Sequence, residues 1–245
     1  MSPKELLELI LSRYITIIGG RYGTGKSLTL TALTYFSIFY EQRTNVLTNM
    51  PLNFPVFKGC VNYVPFLCTS QIDNIKNNTI LVWDEMYADL FSRNSSAIKN
   101  KYTTIFSRDI RKIDGRIFGS VQFFDMLEKN MALILETIII PEFVNEYSKD
   151  RKKDMIERFK NKDFLMNWHI IDKLEDKEYN LKINLYKFLN LYNTYYKPMT
   201  LFLNHSEYVE KLQKKKREFD LFNETIDNEI LYRKKHFEEG LKIIL

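Results

Sequence analysis

The chain has 245 residues, 45% of them hydrophobic and 27% charged, with a net charge of +5. That length can bury one sizeable core with a smaller appended unit, and the composition is that of an ordinary soluble globular protein. No apolar run approaches the ~20 residues that a membrane-crossing helix needs. The expectation is a cytoplasmic protein with no direct membrane span.

The first 14 residues, MSPKELLELILSRY, read as a short amphipathic helix; Glu5, Glu8 and the lack of a small-residue cleavage site argue against a signal peptide. Residues 14–20, YITIIGG, form a β-rich run that closes in glycines, a buried strand entering a tight turn. Residues 27–40 are apolar on nearly all sides and long enough for a buried helix. Residues 45–51 (NVLTNMP) read as a second strand stopped by Pro51. Residues 78–85 (NTILVWDE) are a third strand with acids at its tip, and 116–124 (RIFGSVQFF) a fourth. Residues 132–143 hold a fifth strand ahead of Pro141. Continuous hydrophobic strands alternating with helical stretches predict an α/β fold whose mostly parallel central sheet is covered by helices.

The character then changes. Residues 142–163 read as a charged connector, and FLMNWHIID and YNLKINLYKF, separated by KLEDKE, as a β-hairpin joined to the main sheet. From residue 206 an apolar stripe through Tyr208, Leu212, Phe219, Phe222, Ile226 and Ile230 marks a helical tail. The expected division is an α/β core over 1–143, a connector and hairpin extension over 144–204 and the helical tail over 205–245. Cys60 and Cys68 have no partnering pattern and read as reduced thiols, and the three histidines are too scattered for a metal site.

Residues 20–27, GRYGTGKS, fit G-x-x-x-x-G-K-[ST] at every position, with a strand before and a helix after. Glycines let the backbone turn its N–H groups toward phosphate oxygens, and the helix N-terminus adds its dipole. The nucleotide-binding set is therefore Gly20, Arg21, Tyr22, Gly23, Thr24, Gly25, Lys26, Ser27 and Leu28. Lys26 would hold the β- and γ-phosphates of ATP, and the Ser27 hydroxyl would ligate Mg²⁺. Asp84, at a strand tip, is the second Mg²⁺ residue, placed to hold the ion through water. Glu85 beside it can polarise the attacking water, a task that a small-molecule kinase would not need. Gln122 ends the fourth strand, where an amide can donate to the γ-phosphate and accept from the water. Arg108, Arg111 and Arg116 are candidates for a finger reaching the γ-phosphate of a neighbouring subunit. Residues 88–117 hold seven Lys/Arg against three Asp, a basic surplus that could meet nucleic-acid phosphates.

These residues, in this order, resemble the FtsK/HerA-type motor ATPases, and within them the genome-packaging ATPases of viruses and mobile elements and the Zot-like proteins. VLTNMPL (46–52) looks like the family's strand ending in Asn-x-Pro-Leu. DEMYADLFSRNSS (84–96) looks like its acid pair and following helix, and IRKIDGRIFGSVQ (110–122) its Arg-Lys stretch and glutamine-tipped strand. LYNTYYKP (191–198) resembles its late Tyr-Asp-Thr segment, with Asn193 in place of the aspartate. After the glutamine the family often carries Asp-x-x-x-Arg, where this chain has Glu128 and Ala132. The resemblance implies a RecA/FtsK-like P-loop fold and ATP-driven translocation of double-stranded DNA by a homo-oligomeric ring, usually a hexamer. It also implies Gln122 as sensor, with capsid or membrane proteins of the same element as further partners. By spacing to Gln122 the finger falls on Arg111, then on Arg108, with Arg93 a further candidate. Two other readings stay open: an assembly or secretion ATPase acting on protein, and an AAA-type replication initiator or helicase loader.

Overall fold

The computed structural model describes residues 1–41, 43, 45–50, 52, 77–86, 109–124 and 129–192, all within one compact unit, Met1–Leu201. The expected helical tail over 205–245 lies outside the described residues, as do Cys60, Cys68, Arg93, Arg108, Glu128 and Asn193.

Helix α1 (Pro3–Ser12) starts on a capping box in which Ser2 and Glu5 satisfy each other's backbone N–H, and Pro3 opens its first turn. Strand β1 (Ile15–Gly19) runs into the glycine loop, and α2 (Lys26–Tyr40) leaves it. Strands β2 (Asn45–Thr48), β3 (Thr79–Trp83) and β4 (Arg116–Val121) follow, β4 preceded by a 3-10 turn over Ile110–Ile113. Then come α3 (Lys129–Ile134), β5 (Thr137–Phe143), α4 (Arg151–Asn161), the hairpin β6 (Leu165–Asp172) and β7 (Lys177–Asn184), and a 3-10 turn over Tyr186–Leu191.

The seven strands form one sheet in the order β2-β3-β4-β1-β5-β6-β7, parallel from β2 to β5 and antiparallel for the hairpin. Every residue of β1, β3 and β4 is buried, which is why they read as unbroken hydrophobic runs. Ile18, Ile80, Val82 and Phe118 join α1 and α2 in one core, while Ile17, Leu81, Trp83 and Ile117 form another on the opposite face. β7 closes the sheet as an exposed edge studded with Lys177, Glu178 and Lys182, charges that discourage a further strand from adding. Among the described residues no helix is long and apolar enough to cross a membrane.

Two expectations need correction. β5 runs through Pro141, not up to it. β1 pairs with β5 only as far as Ile139, so Pro141 faces β6 alone and its missing N–H breaks no ladder on the other side. The charged connector also contains a helix, α4. The Asp150 carboxylate accepts from the Lys153 N–H as an N-cap, and Asp154 pairs with Arg158 one turn later at 2.6 Å. Dense charge hid the helical period, because only Met155, Ile156 and Phe159 are apolar.

Candidate active site

The sheet order decides what meets at its C-terminal edge. β4 lies between β1 and β3, with Gly19 level with Val121 and Trp83 level with Gly119. The glycine loop, Gln122 and the Asp84–Glu85 pair therefore emerge side by side.

The loop has the shape its glycines imply. Gly20, Gly23 and Gly25 all have positive φ. Gly25 is the N-cap of α2 at φ 87°, and a Cβ there would come within 2.4 Å of the Met166 methyl. Side chains are thus excluded at Gly25 twice over, by conformation and by space. No side chain caps α2, so its first N–H groups and its positive dipole end face the loop. That is the setting for an anion. Lys26 folds back on this loop, donating to the carbonyls of Gly20 (2.8 Å) and Arg21 (3.0 Å). Burial pushes its ammonium below the ordinary lysine value, against the opposing pull of Asp84 and Glu85. Leu28 is corrected in one respect: its side chain is buried in the core, so it can serve a nucleotide only through its backbone N–H.

Asp84 is buried and held from three sides. Ser27 donates to Oδ2 at 3.2 Å and Ser120 to Oδ1 at 2.5 Å. The Asn49 side chain accepts from the Asp84 N–H at 2.8 Å and donates to its carbonyl at 2.9 Å, continuing the β2–β3 ladder with a side chain. Burial raises the Asp84 carboxyl above its ordinary value, and the hydroxyls of Ser120 and Ser27 and the charge of Lys26 only partly offset this. A carboxylate deprived of water gains most from a cation. At the ~2.1 Å ligand distances of Mg²⁺, adjacent oxygens of an octahedron stand about 3 Å apart, close to the 3.2 Å between Ser27 and Asp84. Ser27 and Asp84 therefore fit as an Mg²⁺ pair; among the described residues no cluster of three or more His, Cys, Asp or Glu forms another metal site.

Glu85 follows in the left-handed region at φ 51°, a strained conformation for a side-chain-bearing residue. Its N–H donates to the Ser120 hydroxyl at 2.9 Å and its carboxylate accepts from the Tyr22 hydroxyl at 3.2 Å. Gln122 reaches the same phenol and lines a cleft of about 430 Å³ with Gly19, Gly20, Arg21, Phe123, Phe124 and Ile140. Tyr192, bridged through its backbone to Leu52, comes near enough to Asp84 for burial and that charge to raise its hydroxyl.

The arginines go elsewhere. Arg111 stands on the turn before β4, at the opposite edge of the sheet, paired with buried Glu136. The six residues of β4 put about 20 Å between that edge and the loop, so Arg111 cannot reach the phosphates bound by its own chain. Arg116 is removed from the finger candidates: it is 7% exposed, donates to the carbonyl of Leu11 at 3.0 Å and pairs with Asp114. Asn49 and Ser120 are the positioning residues that sequence reasoning missed. Their only trace was the Asn of the NMP turn and a polar residue inside an apolar strand.

With β4 set between the strand that carries the phosphate loop and the strand that carries the acid pair, the chain has the P-loop NTPase fold. No family model matches it, and no curated protein matches it. Among solved structures it is similar to the N-terminal domain of zonular occludens toxin from Neisseria meningitidis. The identity is 16% and the TM-score 0.49, over 74% of this chain and 100% of that one. It is also similar to the genome packaging NTPase B204 of Sulfolobus turreted icosahedral virus 2, in a complex with ATP-gammaS (13% identity, TM-score 0.45, 74% and 98% of the two chains). The flagellar accessory protein FlaH of Methanocaldococcus jannaschii follows at 14% identity and a TM-score of 0.43, over 71% and 85%.

Proposed function

We propose that the protein hydrolyses ATP at this edge and uses the energy to translocate double-stranded DNA as a homo-oligomeric ring. The observation that carries the hydrolytic part is Glu85 beside Asp84 at the tip of β3, with Ser27 3.2 Å from the Asp84 carboxylate. The α2 N-terminus and Lys26 hold the triphosphate, Asp84 and Ser27 hold Mg²⁺, Glu85 takes the proton of the attacking water, and Gln122 orients that water against the γ-phosphate. Mg²⁺ held there by Ser27 and Asp84 would supply positive charge against the charge that develops on the phosphates.

The motor part is supported by the order of motifs along the sequence, which resembles the packaging ATPases, and by the basic surplus of residues 88–117. A ring would supply a finger arginine in trans, from Arg111 or Arg108 of a neighbour. The test is the steady-state ATPase rate with and without double-stranded DNA at low and moderate salt, with Lys26→Ala as the background control. Stimulation that fades with salt supports the motor, because each phosphate contact releases a counterion. Lys26-dependent hydrolysis indifferent to DNA at every salt concentration overturns it and leaves an ATPase that acts on protein.

A further inference from the structure

Tyr22 occupies one of the unspecified positions of the phosphate-loop motif, where any residue satisfies the pattern. Here it touches three groups that the proposed hydrolysis uses. Its hydroxyl donates to Glu85 Oε1 at 3.2 Å. The Gln122 side chain lies close enough to the same phenol to influence it. Its ring lies under the Lys26 ammonium, 5.7 Å from nitrogen to ring centre. Yet Tyr22 is 62% exposed and contributes nothing to the core.

The chemistry of these contacts gives them a direction. A hydroxyl that donates to a carboxylate oxygen occupies a lone pair that a proton would otherwise take. Oε1 of Glu85 is directed toward the loop by the same bond. Lys26 belongs to this arrangement too, with its ammonium on the carbonyls of Gly20 and Arg21. It cannot donate to those carbonyls and to phosphate oxygens with the same protons. Two of its three protons are on those carbonyls, and the third remains for an incoming phosphate oxygen.

We infer that Tyr22 is a brake on Glu85: its hydroxyl occupies Oε1, and the base must break that bond before it takes the proton of the attacking water. Tyr22 is then a positioning residue, acting through Glu85 with no contact to the reacting atoms. The Glu85 backbone makes such a brake effective. At φ 51° it is held in place by the Ser120 hydroxyl on its N–H and the Tyr22 hydroxyl on its carboxylate. Removing the second tether frees the side chain without disturbing the first.

The inference rests on hydrolysis at this site and is tested with the full chain. Tyr22→Phe keeps the ring and removes the hydroxyl; Tyr22→Ala removes both. Tyr22→Phe is expected to raise kcat for ATP by about fivefold, the scale of one partly exposed charge-assisted hydrogen bond. KM and the affinity for a non-hydrolysable ATP analogue should stay within about twofold, since a bond made only to Glu85 acts on the chemical step. Tyr22→Ala should weaken analogue binding as well, through loss of the ring beside Lys26. In a Glu85→Gln background, Tyr22→Phe should change nothing, because the amide leaves no base to release. A kcat for Tyr22→Phe equal to or below wild type, with analogue affinity intact, overturns the brake. A Tyr22→Phe gain that survives in the Glu85→Gln background also overturns it, since the hydroxyl would then act on something else. Absence of Lys26-dependent hydrolysis in the wild type is a different result: it removes the hydrolytic reading, and the brake with it.

Discussion

The two edges of the sheet hold their charges in opposite ways. At the N-terminal edge arginines meet carboxylates directly: Arg111 on Glu136, Arg13 on Asp172, Arg43 on Glu41 and Arg116 on Asp114. The guanidinium of Arg116 also lies 4.6 Å from the centre of the Tyr14 ring. At the C-terminal edge the acids are held by neutral donors, Asp84 by Ser27 and Ser120, Glu85 by Tyr22. The lesson is one of exchangeability. An arginine–carboxylate pair neutralises itself and closes the edge, whereas a carboxylate held by hydroxyls keeps its charge and can trade one hydroxyl for a cation or a water. The same sheet thus has a stapled end and a reactive end.

The sharpest way to break this contrast is to neutralise the reactive end. Glu85→Gln should lower ATP turnover by ~10²–10⁴-fold while leaving analogue binding intact, the range expected for loss of a general base. A variant at the stapled end should cost stability within its own chain. Arg111→Ala leaves the Glu136 carboxylate, 2% exposed, with the Tyr14 N–H at 2.7 Å as its one remaining donor among the described residues. Because Arg111 is itself 54% exposed, the loss in a denaturant titration should be about 2 kcal/mol, below the range for fully buried pairs. Glu136→Gln should cost less than Arg111→Ala, because an amide still accepts from Tyr14 and strands no charge. If Arg111→Ala costs no stability, the staple is decorative. If the folded variant also loses turnover only in assembled rings, the trans finger gains support.

Asn49→Ala should fall between the two kinds of residue. It strips two hydrogen bonds from the buried backbone of Asp84, for about 2 kcal/mol of stability. A misplaced Asp84 should also show as weaker dependence of turnover on Mg²⁺, read as a higher half-saturating concentration. The smallest effect concerns α4. Hydrogen bonds from Tyr147 and Asn145 lower Asp163; for Asp154 burial raises the carboxyl, but the bond and charge of Arg158 and the N–H groups of Tyr147 and Ser148 together outweigh it, so both lie below the ordinary aspartate value of 3.8. A depressed folded value stabilises above the unfolded one and is lost as pH falls through the folded one. The difference in denaturant midpoint between wild type and Asp154→Asn should therefore be full near neutral pH and close only below pH 3.8.

Much of the fold was legible because local chemistry fixed it. The glycine loop, the β1–loop–α2 unit and the apolar runs of β3 and β4 follow from steric and burial rules that act over a few residues. The hairpin β6–β7 followed from two alternating runs around a turn. The helix α4 escaped because its stability comes from charges and a cap, not from an apolar stripe. The site divided in the same way: Lys26, Ser27, Asp84 and Glu85 were named by motif, while Asn49 and Ser120 have no local mark.

The sequence by itself determined that a phosphate-binding loop sits between a strand and a helix, and that an acid pair tips another strand, since each depends on neighbours along the chain. Only the tertiary structure decided that β4 lies between them, bringing Gln122 and Ser120 to the acids. It alone sent Arg111 to the far edge and set the Tyr22 hydroxyl on Glu85. Strand order and register depend on which hydrophobic faces close on one another across the whole core, and no short stretch of residues carries that information.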